Sequence, residues 1–185
     1  LAEDLIDKAH REKNLNVITL RPRAIFGPFD RAILPRLLQS EHHGILPIIG
    51  KGTNLIDITY VENVVDSLLL AAKASTQFCG KKYNITNDEP QPLISIITDL
   101  FAALQKPLKP KFVPYHVAKA YAACLEKIYR LPFMHKEPRL TQYSAAVLSL
   151  GQTLNIDAAK NELGYHPQIS IAQGIERFAQ WYQPS

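Results

Sequence analysis

Tyr115 and Lys119 stand at a spacing that suits proton transfer. On a helix, residues four apart share a face one turn apart. A Lys held there lowers the Tyr pKa, so that the phenol can donate or accept a proton. Such a match carries meaning only in its structural context, and no nucleotide loop precedes it. The competing reading is an amphipathic helix with a snorkelling Lys. Gly50-Lys51-Gly52-Thr53 resembles a phosphate loop. A Walker A loop needs a Gly five residues before the Gly-Lys and a Ser or Thr directly after the Lys. Ile45 and Gly52 occupy those positions, so a tight turn is expected instead. The eight glycines include no G-x-G-x-x-G, so this chain carries no diphosphate cradle of its own. His42 and His43 are adjacent and point apart on a helix. No other ligand cluster accompanies them, and no metal site is expected. Asn84-Ile85-Thr86 is a glycosylation sequon inside an expected strand and is discounted. Arg21, Arg23 and Asp57 remain. They fall at expected strand ends or in adjoining loops, where open α/β sheets keep their sites. Surface charge and loop capping explain them equally well.

The elements that position these residues follow from periodicity. Ala2, Leu5, Ile6 and Ala9 share one face of an opening helix. Val17–Leu20 reads as a buried strand, followed by a loop punctuated by Pro22, Gly27 and Pro28. A helix over Ile33–Leu38 and strands over Leu46–Ile49 and Leu55–Thr59 come next. Tyr60–Ala74 is the clearest helix, with Val61, Val64, Val65, Leu68 and Ala72 as its stripe. A strand over Lys82–Thr86 closes this alternating part, which implies a parallel sheet with crossovers. The remainder is mostly helical. Helices are expected over Pro92–Leu104, Pro114–Arg130, Leu140–Leu150, Ala158–Leu163 and Ile171–Tyr182. Short strands fall at Lys111–Val113 and Thr153–Ile156, and a loop at 131–138. Asp157 is expected to cap the helix that Gly164 ends.

Composition bounds the rest. The chain has 185 residues, 46% hydrophobic and 21% charged, which excludes a disordered chain. The net charge of +4 is too mild to indicate nucleic-acid binding. No apolar run approaches the roughly 20 residues of a membrane span. Cys79 and Cys124 cannot form a disulfide framework or a zinc site, and a reducing cytoplasm is the expected setting. The first residue is Leu, within helical periodicity, so the sequence reads as cut from a longer chain.

Leu20-Arg21-Pro22-Arg23-Ala24-Ile25-Phe26-Gly27-Pro28-Phe29-Asp30 resembles the LRP-x-x-IFGP-x-D segment of extended short-chain dehydrogenases. The 3β-hydroxysteroid dehydrogenase/isomerase branch is nearest, among the NAD-dependent epimerases and dehydratases. The likeness continues through Leu34-Pro35-Arg36, Gly50-Lys51-Gly52 and Asp57-Ile58-Thr59-Tyr60-Val61-Glu62-Asn63-Val64-Val65-Asp66. It resumes at Tyr83–Pro90 and ends at Glu162–Pro167 and Gly174-Ile175, in order along nearly the whole chain.

The resemblance implies an α/β fold: the C-terminal part of a Rossmann-type parallel sheet plus a small, mostly helical substrate-binding domain. Residues 1–25 and 55–88 would be the Rossmann remnant; residues 26–54 and 89–185 would form the substrate domain. It implies NAD or NADP as cofactor and a secondary alcohol or ketone as substrate. The Gly-rich loop and catalytic Tyr-Lys would lie upstream of Leu1, so no catalytic residue is expected in this chain, and the fragment alone should be inactive. Pro22, Arg23 and Ala24 match the loop beside the nicotinamide. Phe26, Phe29, Ile56, Asp57 and Tyr60 match the substrate side. Related nucleotide-sugar epimerases carry an Arg where Ile56 stands, which points to an apolar, sterol-like or fatty-acyl-like substrate. Three alternatives stand beside this reading: a nucleotide-sugar epimerase or dehydratase, a non-enzymatic cofactor-sensing module, and a membrane-surface role for the basic, aromatic helix Pro114–Arg130. For that helix, packing within the substrate domain is expected, because its charges are not cleanly segregated. Self-association is expected of a half sheet with open faces.

Overall fold

The computed structural model describes residues 2–129 and 141–182. The loop expected at 131–138, and Arg130 and Leu140 at the ends of two expected helices, lie outside them. The chain opens with α1 (Ala2–Lys13), β1 (Thr19–Pro22), β2 (Ile25–Phe26), α2 (Leu34–Gln39) and β3 (Ile45–Ile49). It continues with β4 (Leu55–Ile56), β5 (Thr59–Tyr60), α3 (Val61–Lys73), β6 (Lys82–Ile85), β7 (Gln91–Pro92) and α4 (Leu93–Ala103). It closes with β8 (Lys109–Val113), α5 (Tyr115–Tyr129), α6 (Gln142–Ser149), α7 (Asp157–Leu163) and α8 (Ile171–Trp181). These elements fall into two compact units. The first holds Leu1–Ile33, Asp57–Pro90 and Leu154–Ser185; the second holds Leu34–Ile56 and Gln91–Thr153. Residues 154–182 fall in the first unit with the chain's beginning.

The first unit is built on β1 and β6, paired in parallel from Thr19↔Lys82 to Pro22↔Ile85. Tyr83 and Ile85 of β6 bury against Ile156, Ala159, Leu163 and Tyr165, with Ile18 and Leu20 packed on them. At Ala24 the backbone turns left-handed, with φ of 46°. The turn takes the chain off the β6 ladder, and β2 pairs in parallel with β5 instead. Thr59 locks this junction. Its hydroxyl lies 2.6 Å from the Arg23 carbonyl and 3.2 Å from that of Ile85.

Helix α3 buries only part of the stripe expected for it. Asn63, Val64 and Ser67 are buried, whereas Val65, Leu68 and Leu69 are exposed. The buried Asn63 explains the rotation. Its amide donates to Asn87 Oδ1 and to the Ile169 carbonyl, and its oxygen accepts from the Gln168 and Ile169 N–H groups. Four bonds, one of them to the buried Asn87 side chain, outweigh the hydrophobic stripe. The first turn of α7 also differs from expectation. Asp157 is the first helical residue rather than the cap, and Asn155 Oδ1 accepts its N–H at 2.8 Å. No strand forms over Thr153–Ile156, because the Leu154 N–H donates to Asp57 instead of to a ladder.

In the second unit β3 and β8 pair in parallel, and β4 pairs antiparallel with β7. The strand expected over Leu55–Thr59 is split: Ile56 pairs with Gln91 here, while Thr59 pairs with Ile25 in the first unit. Gly50 and Gly52 both take positive φ in the turn expected between β3 and β4. Helix α4 buries Leu93, Ile96, Ile97, Leu100 and Phe101. Ala118 of α5 and Ala145 of α6 bury together with Ile49 of β3. No helix of the described residues is long and apolar enough to cross a membrane.

Candidate functional site

A surface pocket of about 310 Å³ opens in the first unit where β2 leaves the sheet. Ile25, Phe26, Gly27, Pro28, Phe29, Asp30 and Val61 line it. It lies just past the carboxyl end of β1, the position at which open parallel sheets take ligands. Two non-glycine residues with left-handed backbone, Ala24 and Phe29 (φ of 46° and 67°), bracket the segment. Such conformations cost about 1–3 kcal/mol each and concentrate at binding loops. Gly27 sits between them at φ of 146°, and a Cβ there would lie 2.7 Å from Val61 Cγ1. Asp30 closes the loop: its Oδ1 accepts from the Ala32 and Ile33 N–H groups at 2.7 and 3.0 Å.

The pocket floor is aromatic. The Phe26 ring is 1% exposed and meets Tyr60 edge-on, with centroids 5.6 Å apart. Gly174 of α8 lets both rings approach, because a Cβ there would lie 2.6 Å from Tyr60 and 2.9 Å from Phe26. The Phe29 ring is 75% exposed and leans on Trp181, 5.2 Å between centroids. Arg177 reaches Glu62 Oε2 at 2.8 Å and lies over the Tyr60 ring. The Tyr60 hydroxyl donates to Glu62 Oε1 at 3.2 Å. Burial, chiefly, raises the Tyr60 phenol above its ordinary pKa. It does the same for Asp57, whose Oδ2 accepts from the Leu154 N–H at 2.7 Å. Among the residues that line the pocket, Asp30 is the one with an ionisable side chain.

Of the residues singled out from sequence, Phe26 and Phe29 line the pocket. Pro22, Arg23 and Ala24 form the strand end that leads into it. The Arg23 N–H donates to the Ile85 carbonyl, and the Ala24 carbonyl accepts from the Thr59 N–H. Asp57 and Tyr60 are buried and do not line the pocket. Ile56 belongs to the second unit, where it pairs with Gln91. Arg21 forms a two-pronged ion pair with Glu3 of α1, a structural role. Tyr115 and Lys119 also belong to the second unit, with the ammonium 6.0 Å from the ring centroid. Val61 and Trp181 were not singled out. Val61 reads from sequence as a member of an apolar helix stripe, and Trp181 enters from the far end of the chain.

The sequence model described as "3-beta hydroxysteroid dehydrogenase/isomerase family" matches residues 1–112. The chain belongs to that family. Its curated relatives include a 2-alkyl-3-oxoalkanoate reductase of Stenotrophomonas maltophilia, 33% identical over 172 residues, covering 91% of this chain and 52% of that protein. They also include the decarboxylating sterol-4-alpha-carboxylate 3-dehydrogenase of Mus musculus, 31% identical over 182 residues, covering 95% and 50%. The chain spans about half the length of the curated relatives it matches. Among solved structures, UDP-glucuronic acid 4-epimerase from Bacillus cereus in complex with NAD has the same fold. Its TM-score is 0.67 at 21% identity, over 97% of this chain and 48% of that one. Epimerase Mth375 of Methanothermobacter thermautotrophicus reaches 0.71 at 20% identity, over 98% and 47%. The fold is thus α/β of the Rossmann type, as the family resemblance implies.

Proposed function

We propose that this chain supplies the substrate-side half of an NAD(P)-dependent oxidoreductase that interconverts a secondary alcohol and a ketone on an apolar, sterol-like or fatty-acyl-like molecule. The pocket lining carries the reading. Ile25, Phe26, Pro28, Phe29 and Val61 offer apolar surface, and the one charged residue, Asp30, turns an oxygen to its own loop. No Arg or Lys lines the pocket to meet a diphosphate by charge-assisted bonds. An apolar ligand matches such walls. The reductase and sterol-dehydrogenase relatives support the same substrate class by name.

The residues present fit one end of a dinucleotide. Pro22, Arg23 and Ala24 form a ledge at the carboxyl end of a parallel pair, fixed by Ile85 and Thr59. That ledge would hold the nicotinamide ring through backbone atoms. No glycine-rich turn between strand and helix is found among the described residues, so nothing here cradles the diphosphate. When bound, the nicotinamide supplies or accepts the hydride. The chain's own contribution is to orient the substrate against the Phe26–Phe29 wall and to exclude water there. We assign the proton step to no residue of this chain, and expect the 185 residues alone to be inactive and to retain NAD(P) poorly.

Trp181, the chain's single tryptophan, leans on Phe29 and reports on the pocket. Titration with a long-chain 3-oxo ester should shift its emission, and UDP-glucuronic acid should not. The reverse pattern would move the assignment to nucleotide sugars.

A further inference from the structure

We propose that Phe29 and Trp181 form an outer subsite, beyond the pocket itself, for the far end of a long apolar ligand, and that Trp181 thereby selects for tail length. The inference rests on the apolar-substrate reading above and extends it. One face of α8 backs the pocket loop. Gly174 lies against the Phe26 and Tyr60 rings, and Trp181, two turns later, lies against Phe29. Two further rings hold the indole. Phe178, fully buried, and Tyr182 stack with centroids 5.4 Å apart, and they lie 5.9 and 6.5 Å from that of Trp181. Phe29 keeps its left-handed backbone, φ of 67°, a conformation that persists where the surroundings hold it.

Position and exposure indicate what the rings serve. Phe26 forms the inner end of the pocket and is buried, whereas Phe29 forms the outer end and is open to solvent. Trp181 continues the apolar surface past Phe29 and is itself 38% exposed. Large apolar rings that are held in place yet left open beside a pocket mark a binding surface. At about 310 Å³ the pocket stands at the small end of the roughly 300–1,000 Å³ of ligand sites. A short chain fits within it. A long chain overruns it, and the surface it meets past Phe29 is the Trp181 ring. Arg177, one turn before Trp181 on α8, turns its guanidinium to Glu62 Oε2 at 2.8 Å. Its charge is therefore met by Glu62, and the subsite offers rings to the tail. Flat aromatic faces suit a methylene chain, because they bring a large apolar area already fixed in place. Continuity with the pocket favours the ligand's own tail over a second copy of the chain as occupant.

The test is equilibrium dialysis of the 185-residue chain against methyl 3-oxohexanoate and methyl 3-oxododecanoate. The wild-type chain should hold the longer ester at least about tenfold more tightly. Trp181→Ala and Trp181→Gln both introduce good helix formers, so circular dichroism should stay unchanged. Each should raise Kd for the longer ester about tenfold, the effect of withholding roughly 60 Å² of apolar contact, and leave that for the shorter within about twofold. Trp181→Phe should restore most of the difference. A residue that only supported the fold would weaken both esters alike, and that result would overturn the subsite. Unchanged affinity for the longer ester in both variants, or equal affinity of the wild-type chain for the two esters, would overturn the subsite and leave the substrate reading standing. Binding of neither ester by the wild-type chain would overturn both. A light-scattering mass lowered by Trp181→Gln, with ester binding unchanged, would assign the face to a second copy of the chain instead.

Discussion

At the scale of single residues, two buried contacts set the site. Gly174→Ala would drive a methyl into the Tyr60 and Phe26 rings, both essentially unexposed. Overpacking of that kind costs about 1–3 kcal/mol, which lowers Tm by a few degrees in a thermal melt; an unchanged Tm would show that the rings can give way. Asp57 makes a pH prediction. Burial, the largest cause, and then Asp88 raise its pKa; the Leu154 N–H and then Arg23 oppose the rise. The native state therefore keeps this proton to higher pH than the unfolded chain, whose Asp titrates near about 3.9. Stability contributed at this position falls as pH rises from that value through the raised native one. Asp57→Asn should flatten the fall in denaturant titrations run across that window, and an unaltered slope would contradict the assignment. How well each residue could be read from sequence varied with the kind of neighbour it has. Gly27 and Phe29 stand out from sequence because they sit in a segment of recognisable pattern. The burial of Tyr60 does not, because it depends on Gly174, over a hundred residues away.

At the scale of elements, periodicity located most helices and failed where polar side chains override it. The buried face of α3 is rotated from its apolar stripe: Asn63 turns toward residues 168 and 169, so Val64 is buried with Ser67 while Val65 and Leu68 are exposed. The strand read over Leu55–Thr59 was one run of apolar and β-branched residues, but its two halves have different partners. Long-range pairing of that kind leaves no local signal. Helix α8 was read correctly over Ile171–Tyr182 to within one residue, and a capping box holds its start. Ser170 accepts from the Gln173 N–H, and Gln173 Oε1 accepts from the Ser170 N–H. Ser170→Ala should cost about 1 kcal/mol by chemical denaturation, and no change would show that the Glu89 contact to the Ile171 N–H suffices alone.

At the scale of the whole molecule, the first unit leaves apolar surface uncovered. Val65, Leu68 and Leu69 of α3 and Leu5 of α1 are exposed. Among the described residues β1 pairs only with β6. Parallel sheets are normally covered on both faces, and open edges invite pairing. We therefore expect the isolated chain to self-associate, with a light-scattering mass above 20.8 kDa that Leu68→Glu with Leu69→Glu brings down; a monodisperse monomer would contradict this. The most direct measurement is turnover by the complete polypeptide that contains this sequence, assayed with NADH and NADPH against a 2-alkyl-3-oxo acid, a sterol ketone and a UDP-sugar. Consumption of reduced nicotinamide with an apolar ketone, with KM raised at least about tenfold by Phe29→Ser, is the expected result. Conversion of the UDP-sugar alone, or no turnover with any of the three, would contradict the oxidoreductase assignment.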